Sequence, residues 1–146
     1  MSATIYLGTS GWSYKDWLGN TYPEGIKSRD YLKSYAEQFP IVEIDSTFYG
    51  TPRTTTVDKW RDETPDEFLF AAKFPQKITH EKELQDCAED VEKFLTTMNG
   101  LGPKLGPLLM QFPYGFKADK MDLLEAFLET LPPGFRYALE VRHKSW

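Results

Sequence analysis

The feature that most constrains this chain is a regular alternation of short β-rich runs with helix-periodic segments. Strand-like runs are read at Thr4–Leu7, from Ile41 toward Gly50, at Phe68–Phe74, Leu108–Phe112 and Tyr137–Arg142. Between them, apolar residues recur at helical spacing. Arg29–Phe39 repeats Tyr31, Leu32, Tyr35, Ala36 and Phe39, with Ser28 placed to cap it, and Thr54–Arg61 turns Val57 and Trp60 inward. Leu84–Asn99 carries Leu84, Cys87, Ala88, Val91, Phe94, Leu95 and Met98 on one stripe, and Asp119–Leu131 carries Met121, Leu124, Phe127, Leu128 and Leu131. Parallel strands need crossovers of helical length, and those crossovers are right-handed, so this order predicts one parallel α/β sheet.

Within that sheet, the strand ends are unusual. Side chains alternate across a strand, which puts Ile41, Glu43 and Asp45 on one face of IVEIDSTFYG and Val42 and Ile44 on the other. Two carboxylates about 7 Å apart then sit where a buried strand is normally apolar. The same parity gives Lys73 at the end of the third run, Gln111 with Leu109 in the fourth, and Glu140 with Arg142 in the fifth. Polar groups gathered on one face at strand C-termini are what a parallel (β/α) TIM-barrel-type fold uses for its chemistry. An open doubly wound sheet also places ligands there, but no GxGxxG or GxxxxGK[ST] fingerprint follows any strand. Internal ion pairing of Lys73 and Arg142 with the acids is the structural alternative.

At 146 residues with 40% apolar and 15% aromatic side chains, the chain is long enough for one folded domain spanning 1–146. Its net charge of −5 argues against a nucleic-acid module that relies on overall positive charge. The single cysteine, Cys87, falls on the buried stripe of a helix; one cysteine forms no internal disulfide, and a reducing, cytoplasmic setting is the expectation. No basic leader segment and no apolar run near the ~20 residues of a membrane span is read, so no membrane partner is expected.

Five ordered blocks, GTSGWSY with Trp17 (8–17), VEIDSTFY (42–49), TP–F–F–AKFP–ITH (64–80), LGPLLMQFP (105–113) and RYALEVRHKSW (136–146), resemble the DUF72, or YecE-like, family across essentially the whole chain. The resemblance implies a TIM-barrel-type fold related to xylose isomerase and endonuclease IV-like barrels, with no settled activity. A whole barrel of this kind takes ~250 residues. The expectation is therefore the N-terminal part of a (β/α)8 barrel, truncated to about five strands and four helices: a fragment, a truncated product, or a half that pairs with another chain. An uncovered strand edge and apolar interior predict self-association.

Three functions fit these residues. The first is an enzyme acting on a small polar or phosphorylated substrate. There Glu43, Asp45 and Glu140 are acid/base candidates, and Lys73 and Arg142 hold an anion or stabilise developing charge. Tyr49, Gln111 and His143 orient substrate, and Trp12 and Tyr14, directly after the first strand, offer a stacking surface. The second is a metal-dependent hydrolase or nuclease drawing on Glu43, Asp45, His80, Glu140 and His143. With two histidines and no HxH or HExxH spacing, neither a metal nor any other cofactor is predicted. The third is a non-catalytic binder of nucleotide or nucleic acid that stacks bases on Trp12, Tyr14, Phe48 and Tyr49 and meets phosphate with Lys73, Arg142 and Lys144.

Overall fold

The computed structural model describes residues 3–146. Five strands form one wholly parallel sheet in sequence order: β1 (Gly8–Ser10), β2 (Ile41–Ile44), β3 (Leu69–Lys73), β4 (Leu105–Gln111) and β5 (Tyr137–Glu140). The connections carry α1 (Tyr31–Ala36), α2 (Thr54–Asp62), α3 (Ala88–Met98) and α4 (Met121–Thr130). Strand order that follows chain order, with every crossover helical, is the arc of a TIM-barrel-type α/β fold.

The two faces of this arc differ. Val42, Ile44, Phe70, Ala72, Leu108 and Met110 point to the helices and are fully buried. There they meet Trp60, Phe94 and Met98 in a core stiffened by ring contacts such as Phe68–Phe70 at 4.9 Å and Phe74–Phe94 at 5.0 Å. The opposite face is the concave, inner one. Its residues Ile41, Leu69, Ala71, Pro107, Leu109 and Ala138 are only half-buried. β5 has no following helix against it, and Leu139 and Val141 are exposed.

Several local expectations change. The first strand is Gly8–Ser10 rather than Thr4–Leu7: β2 begins at Ile41, directly after Pro40, so residues 5–7 have no ladder partner. Ile5 and Leu7 are accordingly 87% and 74% exposed. The fourth strand starts earlier, at Leu105, and tolerates Pro107 in a central position through a register shift against β3 between Phe70 and Ala72. α3 begins at Ala88, not Leu84, because Glu83, Leu84 and Asp86 take left-handed backbone conformations. Ser28 opens a 3-10 turn without a side-chain capping bond, α1 ends at Ala36, and Met121 at the start of α4 is exposed.

Candidate active site

Parallel register places the inner-face polar residues on neighbouring strand ends. Ser10 lies level with Glu43, Lys73 with Leu109, and Gln111 with Glu140. The side chains then connect laterally. Ser10 Oγ donates to Glu43 Oε1 at 2.9 Å, and Lys73 Nζ lies 3.3 Å from the same oxygen. Gln111 Nε2 donates to Glu140 Oε2 at 2.8 Å, while Arg142 Nε donates to Glu140 Oε1 at 2.9 Å. Glu43, Lys73, Gln111, Glu140 and Arg142, all predicted as site residues, therefore form one charge-balanced row. Lys73 links its halves: its ammonium pairs with Glu43 and its field also reaches Glu140.

The row is held from behind by a residue the sequence reading passed over. Thr47 is buried, and its hydroxyl donates to the Ile44 carbonyl at 3.0 Å and accepts from the Lys73 N–H at 3.1 Å. That clamp fixes the end of β2 against the end of β3, and so fixes Glu43 against Lys73. A small hydroxyl residue just beyond a strand end was the signal available.

Two titratable groups here are pushed toward definite forms. The Gln111 hydrogen bond, followed by the Arg142 hydrogen bond and the charges of Arg142 and Lys73, holds the Glu140 carboxyl below its ordinary value, against a desolvation that opposes them. Glu140 is thus held toward its ionised form. His80 moves the other way in charge: burial first, then the positive Arg142, lowers its imidazole below the ordinary 6.5, so it stays neutral. His80 Nδ1 lies 2.8 Å from Thr79 Oγ1, and Phe48 meets the ring edge-on at 5.1 Å. Among the described residues Nε2 has no protein partner.

His80 is carried by an ordered segment directly after β3. Lys77–Glu81 forms a single wide helical turn, closed by Lys82 N–H to the Lys77 carbonyl at 3.0 Å. Asp90 of α3 anchors the turn through Lys77 at 2.7 Å and Lys82 at 2.8 Å, and Lys120 pairs with Glu83 beside it.

Other predicted residues lie apart from the row. Asp45 does not continue the strand: its backbone is helical, it opens the 3-10 turn Ser46–Phe48, and its exposed carboxylate faces the β1 loop instead of Lys73. There it joins Tyr14 and Trp12 around a cavity of about 320 Å³. Trp12 is half-buried, edge to face with Trp60 at 5.7 Å, and Tyr14 stands exposed. Tyr49 is an exposed rim residue against Phe48, and His143 packs on Tyr114 at 4.9 Å with its Nδ1 2.9 Å from Ser145 Oγ. Among the described residues neither side chain makes a hydrogen bond or ion pair to the row. A larger cavity of about 740 Å³ lies between α3 and α4, walled by Leu84, Val91, Leu95, Phe127 and Phe135, and none of the strand-end polar groups lines it. Among the described residues no three His, Cys, Asp or Glu side chains converge as a metal site, and no helix is long and apolar enough to cross a membrane.

Comparison with known proteins places the chain among relatives. The family model described as "Protein of unknown function DUF72" matches residues 6–146. The UPF0759 protein YecE of Escherichia coli (strain K12) is 39% identical over a match covering 95% of this chain and 48% of its own length. The UPF0759 protein YunF of Bacillus subtilis (strain 168) is 33% identical, with 97% of this chain and 52% of that protein covered. A crystal structure of a DUF72 family protein from Enterococcus faecalis V583 superposes with a TM-score of 0.76 at 29% identity, covering 98% of this chain and 52% of that one. This chain spans about half the length of the relatives it matches.

Proposed function

The chain belongs to the DUF72 family, and we propose that it carries part of the active site of an enzyme performing base-initiated chemistry on a small polar substrate with an anionic group. This reading treats residues 1–146 as the N-terminal part of a (β/α)8 barrel whose reactive end is the row at the strand C-termini. The observation that carries it is the row of paired groups on the strand ends, Ser10–Glu43–Lys73 and Gln111–Glu140–Arg142, with His80 on the turn directly after β3; the charge around it holds Glu140 ionised and His80 neutral. Groups driven to different charge states by adjoining environments mark acid/base division of labour.

The roles follow from the geometry. Neutral His80 takes a proton through Nε2. Lys73 and Arg142 stabilise the negative charge that develops, and Arg142, half-exposed and tied to Glu140 through Nε, has its terminal nitrogens available for a substrate carboxylate or phosphate. Glu43, Glu140 and Gln111 keep the cations in place. The metal-dependent reading receives no support from the donor arrangement. The nucleic-acid reading is weakened by the net charge of −5, which offers no broad positive surface.

The test is deuterium uptake from D2O into pooled phosphorylated and carboxylated metabolites, followed by mass spectrometry. Wild-type chain is expected to catalyse exchange into a substrate, and His80→Gln to slow it by about 100-fold or more. No exchange by wild type, or equal exchange by His80→Gln, contradicts the proposal.

A further inference from the structure

We propose that the cavity formed by Gly11, Trp12, Ser13, Tyr14, Asp45 and Ser46 is a binding site for an organic ammonium group, separate from the acid–base row. Three observations point to a cation. Tyr14 Oη and Asp45 Oδ2 both pack over Gly11, 3.0 Å and 3.2 Å from where a Cβ would stand, so both oxygens lie close together above a glycine whose φ of +77° excludes other residues without strain. The Tyr14 hydroxyl already donates its proton to the Ser10 carbonyl, which leaves its lone pairs as acceptors. The carboxylate accepts only, so the cavity presents two acceptors side by side, and a ligand that donates fits it.

The walls add to this. Tyr14 is exposed beside the cavity with its ring braced by Trp17 at 4.7 Å, and Trp12 lines the other side. Aromatic faces attract cations through their quadrupoles. Among the described residues Asp45 has no Lys, Arg or His side chain within ion-pair distance, unlike Glu43 and Glu140. A bare metal ion would find too few ligands here. The cavity, at about 320 Å³, has room for an alkylammonium head and the first carbons of its chain.

The experiment is an amide chemical-shift titration of the chain at low salt with n-butylammonium, its neutral counterpart n-butanol, and sorbitol. Butylammonium is expected to shift Gly11, Ser13 and Ser46 saturably, and the two neutral probes are not. Asp45→Asn, at an exposed position that leaves the fold intact, is expected to weaken binding by about tenfold, the loss of one charge-assisted hydrogen bond. Tyr14→Phe, which keeps the ring and removes the acceptor, is expected to weaken it less. Glu140→Gln is expected to leave the affinity unchanged, which separates this site from the acid–base row. Equal binding of butanol or sorbitol, wild-type affinity in Asp45→Asn, or loss of binding in Glu140→Gln overturns the proposal. None of these outcomes bears on the deuterium-exchange test.

Discussion

Gly8→Ala is expected to release β1 from the sheet and to lower stability by about 3 kcal/mol, the cost of overpacking at a site that cannot widen. The Cβ of an alanine there would stand 2.0 Å from the Ile41 carbonyl oxygen and 2.8 Å from its carbon. Both atoms are backbone, so no rotamer change relieves the overlap. The chain escapes only by separating β1 from β2, which breaks Gly11 N–H to the Glu43 carbonyl, 2.8 Å in the native fold, and Ser10 Oγ to Glu43 Oε1. Amide exchange reads this directly: protection at Gly11 collapses while Phe70 and Met110, in the sheet centre, keep theirs. Retained protection at Gly11 in the variant would show that the close approach of β1 to Ile41 is wrong.

Lys104→Met carries the second large effect, a loss of about 3 kcal/mol measured by urea unfolding with an unchanged slope. Lys104 is a buried lysine whose Nζ donates to the Arg61 carbonyl at 2.6 Å, the Thr64 carbonyl at 2.7 Å and Thr64 Oγ1 at 3.3 Å. These acceptors lie at and just beyond the C-terminus of α2, where the last carbonyls lack helical partners and a positive charge is favoured. Methionine keeps the apolar stem but removes the ammonium from both carbonyls, leaving Arg61's with only the Thr64 hydroxyl at 3.3 Å, at about 1–3 kcal/mol for each lost bond before relaxation. Because Lys104 immediately precedes β4, the same contact sets α2 against the strand that carries Gln111. A midpoint within about 0.5 kcal/mol of wild type would mean that water, not the ammonium, satisfies those carbonyls.

Much of this was legible in the sequence wherever a residue's environment is set by its own strand parity. Glu43, Lys73, Gln111 and Glu140 fall on one face because alternation and parallel register leave no other arrangement. Asp45 shows where that logic ends. One residue beyond β2 the backbone turns helical, and periodicity alone carries no information about where a ladder stops. The displaced first strand has a similar cause: Thr4–Leu7 is the more apolar run, but pairing depends on a partner, and β2 offers one only from Ile41. His80 was visible in the sequence only as a candidate metal ligand. What brings it to the row is a wide turn held by Asp90 across sequence, together with left-handed residues at 83, 84 and 86 that no propensity favours.

The coupling of Arg142 with His80 and Glu140 also sets a pH dependence. A neutral folded His80 takes up its proton less readily than in the unfolded chain, so stability falls as pH drops through the range just below 6.5. Glu140 contributes above the ordinary carboxyl value of 4.5, and its contribution is lost as pH falls through its lower folded value. The most direct measurement is an imidazole NMR titration of His80 in wild type and in Arg142→Gln. The expected result is a midpoint below 6.5 in wild type that rises in the variant yet stays below 6.5, because burial is the larger of its two causes. A wild-type midpoint at or above 6.5, or one that Arg142→Gln leaves in place, would contradict the assignment of His80 to this site as its base.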